Sequence, residues 1–189
     1  MSTGALAVVV LDHGLVYDGT QLGTAFMDRH APGGGDAAVL FVGAADVPRA
    51  NLVDLEDAEA GAFIYSPLMA HVVLEHRGLA LPEAVWRQRL LVHLAGRWVE
   101  GRCGTRVEVR GDDLFVHGGK LSVSVATRSP RGALIHLGVN VETEGAPVAA
   151  VGLRDLRIPP EEFLAAVARL YADELVSVAH AAVKVRPVT

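Results

Sequence analysis

Two runs of strict alternation constrain this chain more than any other feature. Residues 120–127 read KLSVSVAT and residues 133–141 read ALIHLGVNV, with RSPRG between them. Successive side chains of a strand point to opposite faces, so alternation of this kind marks two half-buried strands, and a short Pro- and Gly-containing loop joins them as a hairpin. In the first run Leu121, Val123 and Val125 share one face and Lys120, Ser122, Ser124 and Ala126 the other. In the second, Ile135, Leu137, Val139 and Val141 lie opposite Leu134, His136, Gly138 and Asn140. Closing the five-residue loop symmetrically pairs Thr127 with Ala133, Ser124 with His136, Ser122 with Gly138 and Lys120 with Asn140. The apolar side chains then fall together, and a slip of one residue would mix the faces.

This register predicts a sheet face carrying Lys120, Ser122, Ser124, His136 and Asn140 around Gly138, where the missing side chain lets a ligand approach the backbone. Gly118 and Gly119 turn the chain into Lys120, and Asp112 and Asp113 bring acids to its neighbourhood. The plain alternative is a hairpin with one solvated face. Small residues on that face and a single Lys at its edge favour a site.

Elsewhere, residues 5–11 read as a buried strand, residues 17–20 (YDGT) as a turn that caps a helix over 20–30, and residues 37–42 as a second buried strand. Residues 69–76 alternate as a strand, with Ala70, Val72 and Leu74 opposite His71, Val73 and Glu75. Pro82 opens a helix with an apolar stripe of Ala84, Val85, Leu91, Val92, Ala95, Trp98 and Val99, ended by Gly101 and Gly104. Residues 106–110, 114–117 and 148–153 complete the expected strands. Pro160 opens a last helix, with Glu161 and Glu162 at its N-terminal dipole and a buried face running from Phe163 to Ala182. The prediction is an α+β chain: a mixed, mainly antiparallel sheet packed by the helices starting near Pro82 and Pro159, in a single domain over residues 1–189.

Apolar residues make up 51% of the chain, enough for a sizeable core. The net charge of −5, without a basic run, argues against a nucleic-acid partner. The one cysteine, Cys103, calls for no oxidising compartment. The first residues lack a basic leader, and no stretch is long and apolar enough for a span, so the expected location is the cytoplasm with no membrane partner. A homodimer is expected because two-fold pairs are the commonest assemblies and a free sheet edge can pair.

Several other motifs have competing readings. His71, Glu75 and His76 suggest metal ligands, but on a strand the two histidines face opposite ways, so no metal site is expected. Asp54, Glu56 and Asp57 could hold Mg²⁺ or form a solvated loop. The 17–21 segment could take an anion or simply cap its helix. Gln88 lies in an apolar stripe and needs partners, from core backbone or from a ligand. Cys103 reads as an incidental thiol. No P-loop and no Gly-x-Ser-x-Gly elbow is present.

The run 112–121 (DDLFVHGGKL), followed by 137–141 (LGVNV), resembles the signature of biotin and lipoate protein ligases: an acidic turn, a strand, a glycine turn, the ligand-binding Lys, then an apolar-Gly-apolar-Asn strand. The similarity spans about residues 82–141. Over its whole length the chain resembles the domain-of-unknown-function family 366, small archaeal and bacterial proteins similar in fold to those ligases. The matching pieces are residues 17–22 (YDGTQL), 53–57 (VDLED), 111–114 (GDDL), 120–126 (KLSVSVA) and 184–186 (KVR). The resemblance implies the ligase-like fold, with Lys120 as catalytic residue and Asp112, Asp113, Ser122, Ser124, His136, Gly138 and Asn140 around a small-molecule or nucleotide ligand. The cofactor is otherwise unknown; ATP and Mg²⁺ follow from the resemblance alone. The ligases' Arg/Gly-rich adenylate loop is reduced here to residues 29–35 (RHAPGGG), leaving Arg128, Arg131 and Lys120 as candidate phosphate partners. Two functions follow: ATP-dependent acid activation or acyl transfer, or a non-catalytic module that binds a ligand or a partner protein.

Overall fold

The computed structural model describes residues 6–12 and 14–188. Its centre is a five-stranded sheet in the order β1-β2-β3-β8-β7, comprising Ala7–Val10 (β1), Ala37–Val47 (β2), Ile64–Arg77 (β3), Gly132–Glu142 (β8) and Ser122–Ser129 (β7). Only β1 runs parallel to its neighbour, across the helix Thr24–His30 (α1); every other pairing is antiparallel. The expected mixed, mainly antiparallel architecture is therefore what forms. A smaller sheet joins Glu108–Arg110 (β4), Asp113–Val116 (β5) and Gly119–Lys120 (β6). A short helix, Leu55–Ala60 (α2), precedes β3.

Strands β2, β3 and β8 are covered on both faces, which explains their nearly continuous apolar sequence. One face presents Ala38, Leu40, Val42, Ala70, Val72, Leu74, Ile135, Leu137, Val139 and Val141 to the helices Leu81–Cys103 (α3) and Pro160–Val183 (α4). The stripe of α3 is Ala84, Gln88, Leu91, Val92, Ala95, Gly96 and Val99, spaced at one helical face. Gly104, in the left-handed conformation, ends it, while Gly101 stays within the helix. A methyl on Gly96 would stand 2.9 Å from Leu114 Cδ2, so the glycine lets β5 pack close. The other face, with Val39, Phe41, Val73 and Leu134, packs under Phe26 and Met27 of α1 and under Tyr17.

Further expectations change. β1 is an exposed edge strand rather than a buried one, with Val8 and Val10 open to solvent. Residues 148–153 make one isolated bridge, Ala150 to Lys120, and no strand. The buried face of α4 stops near Tyr171; Val178 and Ala182 are exposed. The hairpin forms, but one residue out of the expected register: Ser129 pairs with Gly132, Val125 with His136, Val123 with Gly138 and Ser122 with Val139. The reason is Gly132. It belongs to the ladder, pairing with Arg77 as well as Ser129, and a Cβ there would meet the His76 carbonyl oxygen at 2.1 Å. The connection is thus the two residues Pro130 and Arg131.

Candidate functional site

The slip turns Ser122 and Ser124 away from His136 and toward α3. Their hydroxyls are satisfied there. Ser122 Oγ accepts from the Leu114 amide at 2.9 Å and is fully buried. Ser124 Oγ accepts from Gln88 Nε2 at 2.8 Å and donates to the Asp112 carbonyl at 3.1 Å. Gln88 Nε2 also donates to Asp112 Oδ2 at 2.8 Å, so its partners are side chains of the hairpin and the acidic turn. The serines thus hold β7, β5 and α3 together.

Along β7 lies a cavity of about 470 Å³. Val123 and Val125 form one wall, Met69, Tyr17 and His136 lie deep, and Phe63, Tyr65 and Val148, all exposed, stand at the mouth. Lys120, Asp112, Asp113, Ser124 and Asn140 also line it, together with Asp54, Glu56 and Asp57 from the α2 segment. Of the expected residues, the fold therefore brings Asp112, Asp113, Lys120, Ser124, His136 and Asn140 to one cavity. Ser122 is withdrawn, and Gly138 is roofed: a Cβ there would stand 2.4 Å from Met69 Sδ. The glycine makes room for a methionine and not for a ligand at its backbone.

Lys120 Nζ lies 2.8 Å from Asp113 Oδ2, with both side chains about one quarter exposed at 29% and 27%. Burial pushes the Asp113 carboxyl above its ordinary range; Lys120 pulls it down, while Asp112 and Asp57 push it up again. Asn140 fixes the Lys120 backbone, donating from Nδ2 to its carbonyl at 3.1 Å. Backbone bonds from Lys120 to Ala149 and from Val151 to Lys120 clasp the same residue to the 149–151 segment. Lys120 is the one cation among the described lining residues. Arg131 is elsewhere, held by Glu75 and Asp28, and Arg128 lies outside the lining, so neither supplies the cavity with charge.

Three of these acids have partners within the protein. Asp54 Oδ1 caps α2, accepting from the Glu56 and Asp57 amides. Asp112 takes Gln88 and faces Arg89 at 3.5 Å, and Asp113 takes Lys120. Among the described residues no three His, Cys, Asp or Glu side chains gather around a common point. Asp18 is used locally, accepting from the Thr20 amide and hydroxyl, which is the turn expected of residues 17–20. The helix after it starts at Thr24, later than expected.

Beneath the cavity lies a histidine pair that the sequence did not reveal. His71 Nδ1 is 3.1 Å from His136 Nε2, and His71 Nε2 is 3.2 Å from the Gly43 carbonyl oxygen. Tyr17 stacks on His136 at 3.9 Å between ring centroids, and Phe41 stacks on His71 at 4.6 Å. Burial drives His71 down to about 3 and His136 well below the usual histidine range, so both rings are neutral. The two residues are 65 apart in the chain. Nothing local could have joined them. Tyr17 was legible as part of a turn, a possible anion site and a piece of the family resemblance, but not as a partner of His136, and Met69 only as part of a strand.

This layered sheet, with its glycine turn into Lys120 beside a cavity, is the fold of the biotin and lipoate protein ligases. A putative lipoate protein ligase from T. acidophilum with bound lipoic acid superposes with a TM-score of 0.63 over 91% of this chain and 86% of that one, at 12% identity. A biotin protein ligase from Aquifex aeolicus in complex with biotin and ATP gives 0.57 over 90% and 70%, also at 12% identity. Within that fold, the chain belongs to the DUF366 family, described as a domain of unknown function, whose model matches residues 6–186. A protein of unknown function from Pyrococcus horikoshi shares 34% identity and a TM-score of 0.89, covering 97% of this chain and all of that one (100%). An uncharacterised protein of Methanocaldococcus jannaschii is 34% identical over 147 residues, 74% of this chain and 66% of the relative, just under two thirds of its length.

Proposed function

We propose that the chain binds a small carboxylic acid in this cavity and activates or transfers its acyl group. The observation that carries this reading is Lys120, a clamped cation at the wall of an otherwise acidic and apolar cavity. An ammonium fixed at its backbone and shared with Asp113 can pass one hydrogen bond to a ligand carboxylate or phosphate oxygen. It then stabilises charge that grows on those oxygens as the bond forms. In the ATP-dependent version, a carboxylate oxygen bonds to the α-phosphorus, the bond from that phosphorus to its bridging oxygen breaks, and pyrophosphate leaves as the acyl-adenylate forms.

A specific observation supports the second reading, a non-catalytic ligand-binding or protein-interaction module of the same fold. Five carboxylates line the cavity against one cation, a poor setting for three phosphates. Incubation with ATP and a panel of acids that includes biotin and lipoic acid separates the two. Acid-dependent pyrophosphate release that Lys120→Ala abolishes supports catalysis. Binding by calorimetry without release leaves the module, and binding of no acid removes acid activation and leaves only a module for another ligand or a protein partner. A homodimer is part of the same proposal, supported by the exposed β1 edge with Val8 and Val10; a monomeric mass by light scattering would remove it. A cytoplasmic location rests on the sequence reading alone, although no described helix is long and apolar enough to cross a membrane.

A further inference from the structure

We propose that the cavity floor selects for a neutral hydrogen-bond donor on the ligand, an N–H or O–H group, and that His136 Nδ1 accepts it. This rests on the reading that the cavity holds a small molecule, and it adds what the buried end of that molecule must carry.

The argument is a chain of forced proton positions. The Gly43 carbonyl can only accept, so His71 Nε2 must be the donor in their 3.2 Å bond. A neutral imidazole carries one N–H, so His71 Nδ1 is left as an acceptor. His136 Nε2, 3.1 Å away, must then donate to it, which leaves His136 Nδ1 as a lone pair. Turning the His136 ring over would set a carbon against His71 Nδ1 and lose the bond. The Tyr17 ring, stacked nearly parallel at 10°, keeps the plane of the imidazole fixed. His136 is only 2% exposed, yet it lines the cavity, and no protein donor meets its Nδ1 among the described residues. That nitrogen is open to the cavity rather than sealed in the core, so a ligand that fills the cavity excludes water from it, and an acceptor enclosed without a donor costs free energy. Val123, Val125 and Met69 line the same cavity with apolar side chains.

The consequence for the ligand is chemical. A carboxylate or phosphate placed against His136 Nδ1 would meet a lone pair, acceptor against acceptor. A head group with no donor would leave Nδ1 unsatisfied. A urea, amide, lactam or alcohol satisfies it, while the acid end of the same molecule lies toward Lys120. Sites built to hydrogen-bond a polar group reject analogues lacking it more strongly than apolar pockets reject added bulk.

The test uses the wild-type chain with ¹⁵N-labelled histidine and two small probes. One is 2-imidazolidinone, a cyclic urea with two N–H donors; the other is its N,N′-dimethyl analogue, which has none. Long-range ¹H–¹⁵N correlation is expected to show His136 with the proton on Nε2. The parent urea should shift the Nδ1 resonance upfield as it accepts a hydrogen bond, and the dimethyl analogue should bind roughly two- to tenfold more weakly and leave that resonance in place. A proton on Nδ1, equal binding of both ureas, or no response of His136 to either would overturn the proposal. The acid panel addresses Lys120 separately. A urea response at His136 without acid binding keeps this subsite and removes the acid-activation reading; acid binding without a His136 response does the reverse.

Discussion

His71 and His76 stand five residues apart on β3, so they face opposite sides of the sheet, and both are fully buried. Their surroundings make them different objects. His76 meets protein at both nitrogens: Nδ1 lies 2.8 Å from Asp36 Oδ2 and 3.0 Å from Arg87, and Nε2 lies 2.8 Å from the Tyr171 hydroxyl. Asp36 also accepts from the Arg77 amide. Burial pushes the Asp36 carboxyl up, but the bonds from His76 and Arg77 and the charges of His76 and Arg87 outweigh it and hold it below its ordinary range. His71 instead passes its hydrogen bond to His136, whose second nitrogen faces no protein donor. A buried histidine closed at both ends fastens elements together, here β2, β3, α3 and α4. One whose chain ends open at a cavity belongs to a site.

The sharpest way to break this contrast is His76→Ala. It removes a filled core position and leaves the Tyr171 hydroxyl and Asp36 short of a partner, so a loss of about 2–4 kcal/mol is expected in urea unfolding. The urea probe should still shift His136. A loss below about 1 kcal/mol would show that Arg87 alone holds Asp36 and that the cluster is no fastener. Gly138→Ala acts on the other side. Its methyl must displace Met69 Sδ from 2.4 Å and press on His136 Cε1 at 3.1 Å. A cost of about 1–3 kcal/mol is expected, with a disturbed His136 resonance. An unchanged resonance would mean that Met69 yields freely and the floor is loosely built.

Acid should separate the two histidines next. His71 and His136 have native pKa values well below the unfolded value of about 6.5, so the unfolded chain binds protons there that the native chain does not. Stability from the pair is complete above that pH and is lost as pH falls toward about 3, the native value for His71. The slope should be on the order of 1 kcal/mol per pH unit per ring. Asp36, lowered below about 3.9, acts in the same direction only at more acid pH. Comparing unfolding of wild type and His71→Gln between pH 6.5 and 4.5 isolates the pair; equal slopes would refute the neutral-pair account. The smallest stability effect belongs to Lys120→Ala. Its ion pair with Asp113 is partly exposed, so a change within about 1 kcal/mol is expected. Affinity for an anionic ligand should nevertheless fall about tenfold or more, because a charge-assisted contact is removed. Unchanged affinity in a calorimetric titration would leave Lys120 as a surface residue.

The sequence by itself determined the elements with a regular period. The two faces of β3, the stripe on α3, the first half of α4 and the existence of the β7–β8 hairpin follow from spacings of two and of three to four residues, because each side chain's face is set by its own backbone. It also marked Lys120, Asp113 and Asn140, which line one cavity in the fold, Asp113 paired with Lys120 and Asn140 bonded to the Lys120 carbonyl. Tertiary structure alone decided the register, since Gly132 had to meet the backbone of β3, a contact 55 residues away in the chain that leaves no local sign. It decided that Ser122 and Ser124 serve β5 and α3, because a serine alternating with valine reads alike whether it meets water, a ligand or an amide of another strand. And it decided the pairing of His71 with His136, since which buried histidine is closed and which is left open depends on partners that only packing brings together.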